Sequence, residues 1–161
     1  MEKILVIGGG GYVGTELIAY LIKKNNYVYC IDKFIYEKNS FIKNSKKINI
    51  LKYDITHSSF YNNIPADISS VIILAGLVGD PITKKYPKLS HQINFLAIKK
   101  IVNFYKRLKV KLIFVSTCSN YGFLENKIAN EKTSLNPKSL YAKQKVKIEK
   151  YILSLRKKSK F

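Results

Sequence analysis

The chain has 161 residues, enough for one core, and a domain of this size removes roughly two-thirds of its unfolded surface from water. Its net charge of +19 comes from 27 Lys and only 2 Arg, so the bidentate guanidinium contacts that favour phosphate and base recognition are scarce. Lys, Asn, Ile and Tyr, all encoded by AT-rich codons, make up 74 of the residues, so the charge is read as a mark of genome composition and a nucleic-acid site is disfavoured.

The N-terminus, Met1 onward, enters an apolar run at once, with no basic region and apolar stretch before a cleavage site. No secretory signal is expected, and a cytoplasmic location follows. Lys3 to Ile7 reads as a buried strand. Glycines follow, and then Val13, Leu17, Ile18, Leu21 and Ile22 recur at helical spacing, completing a βα unit. A second strand, Tyr27 to Ile31, ends at Asp32, and a polar stretch from Lys33 to Lys47 leads to a third, Ile48 to Tyr53, ending at Asp54. A short helix or turn is expected around Ser58 to Asn63, then a fourth strand from Ser70 to Leu74. Ala-Gly-Leu-Val-Gly-Asp-Pro is a loop signal, and a long helix follows with the apolar stripe Leu89, Ile93, Leu96, Ile101, Phe104 and Leu108. Lys111 to Val115 is the fifth strand. Asn136-Pro137 marks the start of a last helix, with Tyr141, Lys145, Ile148 and Ile152 on one face.

Strands alternating with helices predict an α/β chain, one domain over residues 1–161, with a parallel sheet covered on both faces. Right-handed crossovers give the Rossmann-type doubly wound order 3-2-1-4-5, with ligands beyond the carboxyl ends of the strands. The aliphatic runs fall far below the roughly 18 residues of a membrane helix. Cys30 and Cys118 have neither the number nor the spacing of a disulfide framework or a zinc site.

Three constellations lie where that fold collects its ligands. Gly8-Gly9-Gly10-Gly11-Tyr12-Val13-Gly14 joins the first strand to the first helix, where glycines let the chain turn tightly and approach a pyrophosphate held by free helix amides. A tight turn without a ligand is the alternative. Asp32 lies 18 residues past Gly14, where a carboxylate accepts from both ribose hydroxyls of NAD and repels a 2′-phosphate, favouring NAD over NADP. Lys33 beside it works the other way, since a cation tolerates that phosphate, and a turn-forming Asp is the plain alternative. Ser116-Thr117-Cys118-Ser119-Asn120-Tyr121-Gly122 leaves the fifth strand, and Tyr141-Ala-Lys-Gln-Lys145 places Tyr and Lys on one helix face. A tyrosine, with its ordinary pKa near 10, works as a base only where positive charge favours the phenolate. Y-x-x-x-K alone is common by chance in a chain with 12 Tyr and 27 Lys.

The order of these features, each on its own element, resembles the extended short-chain dehydrogenases. The spacing Gly8, Gly11, Gly14 and the segments Leu74 to Pro81, Ser116 to Gly122 and Leu135 to Ala142 resemble the NAD-dependent epimerase/dehydratase group almost in register. The resemblance implies Thr117, Tyr141 and Lys145 as the catalytic residues, with Lys145 lowering the pKa of Tyr141 and binding the nicotinamide ribose. It implies NAD as cofactor, with Asp54 and Ile55 at the adenine, where another turn-forming Asp is the plain alternative, Leu74, Ala75 and Gly76 lining it by backbone, and Asn94 in the helix supporting the sheet. The implied substrate is a nucleotide-diphosphate sugar. Dehydratases of the group follow the Thr with an acidic pair, whereas here Cys118 and Ser119 follow, so dehydration is disfavoured while epimerisation and keto-sugar reduction both fit. Residues Val78 to Ile82 and Tyr121 to Leu124 are expected to border the sugar.

Family members continue into a sixth strand and a substrate-binding domain, and this chain ends at Ser154-Leu-Arg-Lys-Lys-Ser-Lys-Phe161. The expectation is a Rossmann sheet truncated before that strand, with the C-terminal domain absent and the fifth strand left as an exposed edge, giving reduced stability or reliance on a partner. A complementing C-terminal half, or a homodimer through a four-helix bundle that includes the Tyr141 helix, is the implied partner. A truncated, inactive NAD-binding module is the alternative to a working epimerase.

Overall fold

The computed structural model describes residues 1–35, 45–65, 67–108, 110–124 and 128–156. Most of the polar stretch from Lys33 to Lys47, and the tail after Arg156, lie outside the described residues. In chain order the elements are β1 (Lys3–Ile7), α1 (Tyr12–Lys23), β2 (Tyr27–Asp32), β3 (Ile48–Lys52), a 3-10 helix (Ser58–Asn63) and β4 (Ser70–Ile73). Then come α2 (Asp80–Lys85), α3 (Pro87–His91), a π-helical segment (Gln92–Ala97), α4 (Ile98–Leu108), β5 (Lys111–Phe114), a 3-10 turn (Cys118–Tyr121) and α5 (Leu140–Arg156). They fall into two compact units, Met1–Gly76 with Lys100–Val115, and Leu77–Lys99 with Ser116–Phe161.

The first unit holds the sheet, all parallel, in the expected order β3-β2-β1-β4-β5. β1 is central, with Val6 opposite Cys30 on one side and Ile72 on the other. Successive strand side chains alternate in direction. Ile4 and Val6 therefore join Ile18 of α1, Val28, Cys30 and Ile72 in one apolar cluster, while Leu5 and Ile7 are buried on the opposite face. Each such side chain contributes roughly 1.5–3 kcal/mol of burial. Burial on both faces is why β1 reads as an unbroken aliphatic run. β3, β4 and β5 each stop one residue short of expectation, yet the amides of Tyr53, Leu74 and Val115 still donate to Asp32, Ile7 and Ile73. β5 is a sheet edge, with Ile113 and Val115 partly exposed and the charged Lys111 at its start.

Two helical expectations are corrected. The single long helix is broken at Tyr86, beside Pro87, and contains the π-helical segment. Closing i to i+5 bonds advances the phase of every later residue. Within the segment Leu96 is exposed while Asn94, Phe95 and Ala97 are buried; Leu89 before it and Leu108 after it are exposed as well, Ser90 is buried, and Ile101 is buried as expected. The last helix begins at Leu140 rather than at Asn136-Pro137, because Ser139 caps it: its Oγ accepts from Ala142 N at 3.1 Å. No helix among the described residues is long and apolar enough to cross a membrane.

Candidate functional site

After β1 the chain turns at Gly8, whose φ of +87° lies in the left-handed region that side chains avoid. A Cβ there would also collide with Ala75 N at the end of β4. Gly14, in the first turns of α1, comes so near the loop that a Cβ would lie 2.6 Å from the Gly9 carbonyl oxygen. Gly11 differs: its φ is −82° and nothing stands closer than 3.5 Å to where a Cβ would be. Packing within the chain does not demand glycine at 11. The missing side chain leaves open room at the start of α1, where the first amides have no carbonyl one turn back and the helix dipole favours an anion. Tyr12 and Val13 stand exposed there, so Val13 leaves the apolar stripe that its spacing suggested.

Asp32 sits at the end of β2, braced from two sides. Gly10 N donates to its Oδ2 at 2.9 Å and Phe34 N to its Oδ1 at 2.7 Å. Each carboxylate oxygen keeps a second lone pair for a ligand hydroxyl. Lys33, mostly exposed, reaches Asp54 Oδ2 with its Nζ at 2.8 Å. Thr56 donates to Asp54 Oδ1 through its N–H at 2.9 Å and its hydroxyl at 2.7 Å. Burial pushes the Asp54 carboxyl up, but Lys33 and the two Thr56 bonds outweigh it and hold the pKa down to about 2. Ile55 is buried beside it, and the amides of Leu74 and Ala75, ahead of Gly76, both donate to Ile7 O. The glycine turn, Asp32, Asp54, Leu74 and Ala75 thus collect at the carboxyl ends of β1 to β4.

In the second unit, Tyr141 and Lys145 are buried one turn apart on α5, with Lys145 Nζ 5.8 Å from the Tyr141 ring centroid. Burial lowers the Lys145 pKa to about 8. Burial also raises that of Tyr141, with Asp80 and Cys118 adding to the effect. The expected depression of Tyr141 does not arise from these groups alone, because desolvation opposes the charged form of both side chains. Thr117 Oγ1 accepts from Ser119 N at 3.2 Å, which leaves its hydroxyl proton for another acceptor. Asn94 lies in the π-helical segment, and its amide is used on neighbours: Oδ1 accepts from Leu77 N at 2.8 Å, and Nδ2 donates to Leu77 O at 3.0 Å. The same Nδ2 donates to Gln144 Oε1 at 3.0 Å, which also accepts from Ser90 Oγ at 2.6 Å. Asn94 thereby fixes the loop that follows β4.

Sequence reasoning missed Glu149. Its Oε2 accepts from Asn120 Nδ2 at 2.8 Å and from Ser116 Oγ at 3.2 Å, pinning residues on either side of Thr117 to α5. Spacing held the signal, since Tyr141, Lys145 and Glu149 stand at i, i+4 and i+8 on one helix face. Gln144 and Ser90 gave no such signal, being 54 residues apart in the chain.

The family model for the NAD dependent epimerase/dehydratase family matches residues 4–161. A dTDP-D-glucose 4,6-dehydratase of Dictyostelium discoideum is 31% identical over 176 residues, covering 96% of this chain and 40% of that protein. A UDP-glucose 4-epimerase of Lactobacillus helveticus is 28% identical over 151 residues, covering 92% of this chain and 45% of its own length. Among solved structures, the UDP-glucose 4-epimerase of Thermus thermophilus in complex with NAD superposes with a TM-score of 0.80 at 25% identity, covering 95% of this chain and 50% of that one. The chain therefore spans half the length of these relatives or less. With a parallel sheet of this order and a family match over nearly its whole length, the chain belongs to the NAD dependent epimerase/dehydratase family.

Proposed function

We propose that this chain binds NAD and takes part in epimerisation or keto reduction of a nucleotide-diphosphate sugar. The opening at Gly11, together with a braced Asp32, carries this reading, because the chain's own packing gives no reason for glycine there. The Thermus thermophilus relative is a complex with NAD, and the other relatives are named for dTDP- and UDP-sugars, which supports the reading. Amides at the start of α1 receive the pyrophosphate, and Asp32 accepts from the adenosine ribose hydroxyls. Asp54 and Ile55 flank the adenine, and the backbone of Leu74, Ala75 and Gly76 lines the dinucleotide. Bound NAD would supply the hydride acceptor.

The chain's own residues handle the proton. Tyr141 takes it from a sugar hydroxyl and returns it, with the Lys145 ammonium 5.8 Å from its ring as the neighbouring positive charge. Thr117 donates its free hydroxyl hydrogen to the same sugar oxygen. Cys118 and Ser119 offer no carboxyl pair for removing water, which favours epimerisation or reduction over dehydration.

The test is calorimetric titration with NAD, followed by NADH absorbance on adding UDP-glucose or dTDP-glucose. Wild type binds NAD; Gly11→Ala keeps the wild-type melting temperature within a degree or so and weakens binding at least tenfold. No binding by wild type, or unaltered binding by Gly11→Ala, sinks the cofactor site. Binding without any sugar-dependent signal leaves a cofactor-binding module.

A further inference from the structure

At the end of β2 two opposed charges follow one another, Asp32 and Lys33, and a 2′-phosphate on the adenosine ribose is repelled by one and attracted by the other. The balance depends on where the ammonium of Lys33 is held. We infer that Asp54 is a selectivity residue for the dinucleotide: by pairing with Lys33 it removes the cation that would accept NADP and leaves the charge of Asp32 unopposed. The inference rests on the NAD-binding reading above.

Asp54 is the fixed member of the pair. Its side chain is 18% exposed against 59% for Lys33, and Thr56 holds its Oδ1 by two hydrogen bonds, so the carboxylate stays in place and the flexible lysine stem comes to it. Its pKa of about 2 keeps it ionised at any pH at which the protein is handled, so the pairing does not lapse near neutrality. A paired Lys and Asp present no net charge to a phosphate, whereas Asp32 presents a full negative charge bound to two backbone amides. The lysine is solvent-exposed, so its release has a modest effect that salt screens.

Asp54→Asn retains an acceptor for Thr56 and replaces the partner of Lys33 with a neutral amide. The readout is the ratio of NADP to NAD affinity by calorimetry, with no turnover needed. Any contact of Asp54 with the adenine is common to both dinucleotides and cancels in the ratio. In Asp54→Asn the ratio rises about five- to tenfold at low salt, and the gain shrinks as salt is added. In Asp54→Asn combined with Lys33→Gln it returns to within about twofold of wild type. Lys33→Gln alone, a change at an exposed side chain that leaves the fold intact, lowers the ratio by baring Asp54. An unchanged ratio in Asp54→Asn, an equal rise in the double variant, or an unchanged ratio in Lys33→Gln overturns the inference while NAD binding stands. Wild type binding neither dinucleotide overturns both.

Discussion

Lys145 is an ammonium with 4% of its surface exposed, and burial holds its pKa at about 8 against the ordinary 10.5. The folded state therefore resists protonating it more than the unfolded chain does. Between pH 8 and 10.5 the unfolded chain binds the extra proton, so stability rises with pH through that window. Below pH 8 the destabilisation is complete, on the order of 3 kcal/mol. Lys145→Met, of similar length and uncharged, is expected to melt higher than wild type at pH 7, with the gap closing as pH approaches 10.5. Thermal melts of both proteins across that range check it, and a gap independent of pH would mean that the lysine is not the titrating group. Retaining so costly a residue fits a site that needs a proton-responsive cation beside Tyr141. The same variant is expected to lose turnover by about 10²–10⁴-fold if the pair is the acid/base unit.

At the scale of elements, what was legible in the sequence is what local pattern encodes. The five strands, the glycine turn and the position of Asp32 follow from short apolar runs bounded by glycine and polar residues. The π-helical segment over Gln92–Ala97 was not legible, because a periodicity argument assumes constant pitch and so assigns Leu96 to the core. Nor were Glu149 with Asn120, Lys33 with Asp54, or Gln144 with Ser90, since each pair meets only after its elements have packed. The π-helical segment holds Asn94 inward, where its amide meets Leu77 and Gln144, and Ser90 of α3 donates to the same Gln144 oxygen. Asn94→Ala would leave the half-buried Leu77 amide and carbonyl without these partners, each at the lower end of the roughly 1–3 kcal/mol that a buried group costs when unsatisfied. Urea unfolding should show a stability loss of about 2–4 kcal/mol with little change in slope. A loss under about 1 kcal/mol would mean that water replaces Asn94 and that the segment is not held by this clamp.

For the molecule as a whole, a net charge of +19 on 161 residues acts on folding and on ligand capture with opposite sign. Self-repulsion among the lysines favours the expanded chain, and salt relieves it as the screening length falls from about 30 Å at 0.01 M to about 10 Å at 0.1 M. The same positive field draws in a pyrophosphate, and the same salt weakens that attraction. Sodium chloride over this range is therefore expected to raise the melting temperature of the protein alone while lowering its affinity for NAD. A stability gain of about 1 kcal/mol corresponds to roughly 2–4 °C in a chain of this size. Chloride salts are the right probe, because sulfate would strengthen apolar burial as well. No response in either quantity would mean that the surplus lysines act on neither folding nor capture. If the melting temperature rose but NAD affinity held, the dinucleotide would be recognised by short-range contacts at Gly11 and Asp32 alone, with the surplus lysines contributing nothing to its capture.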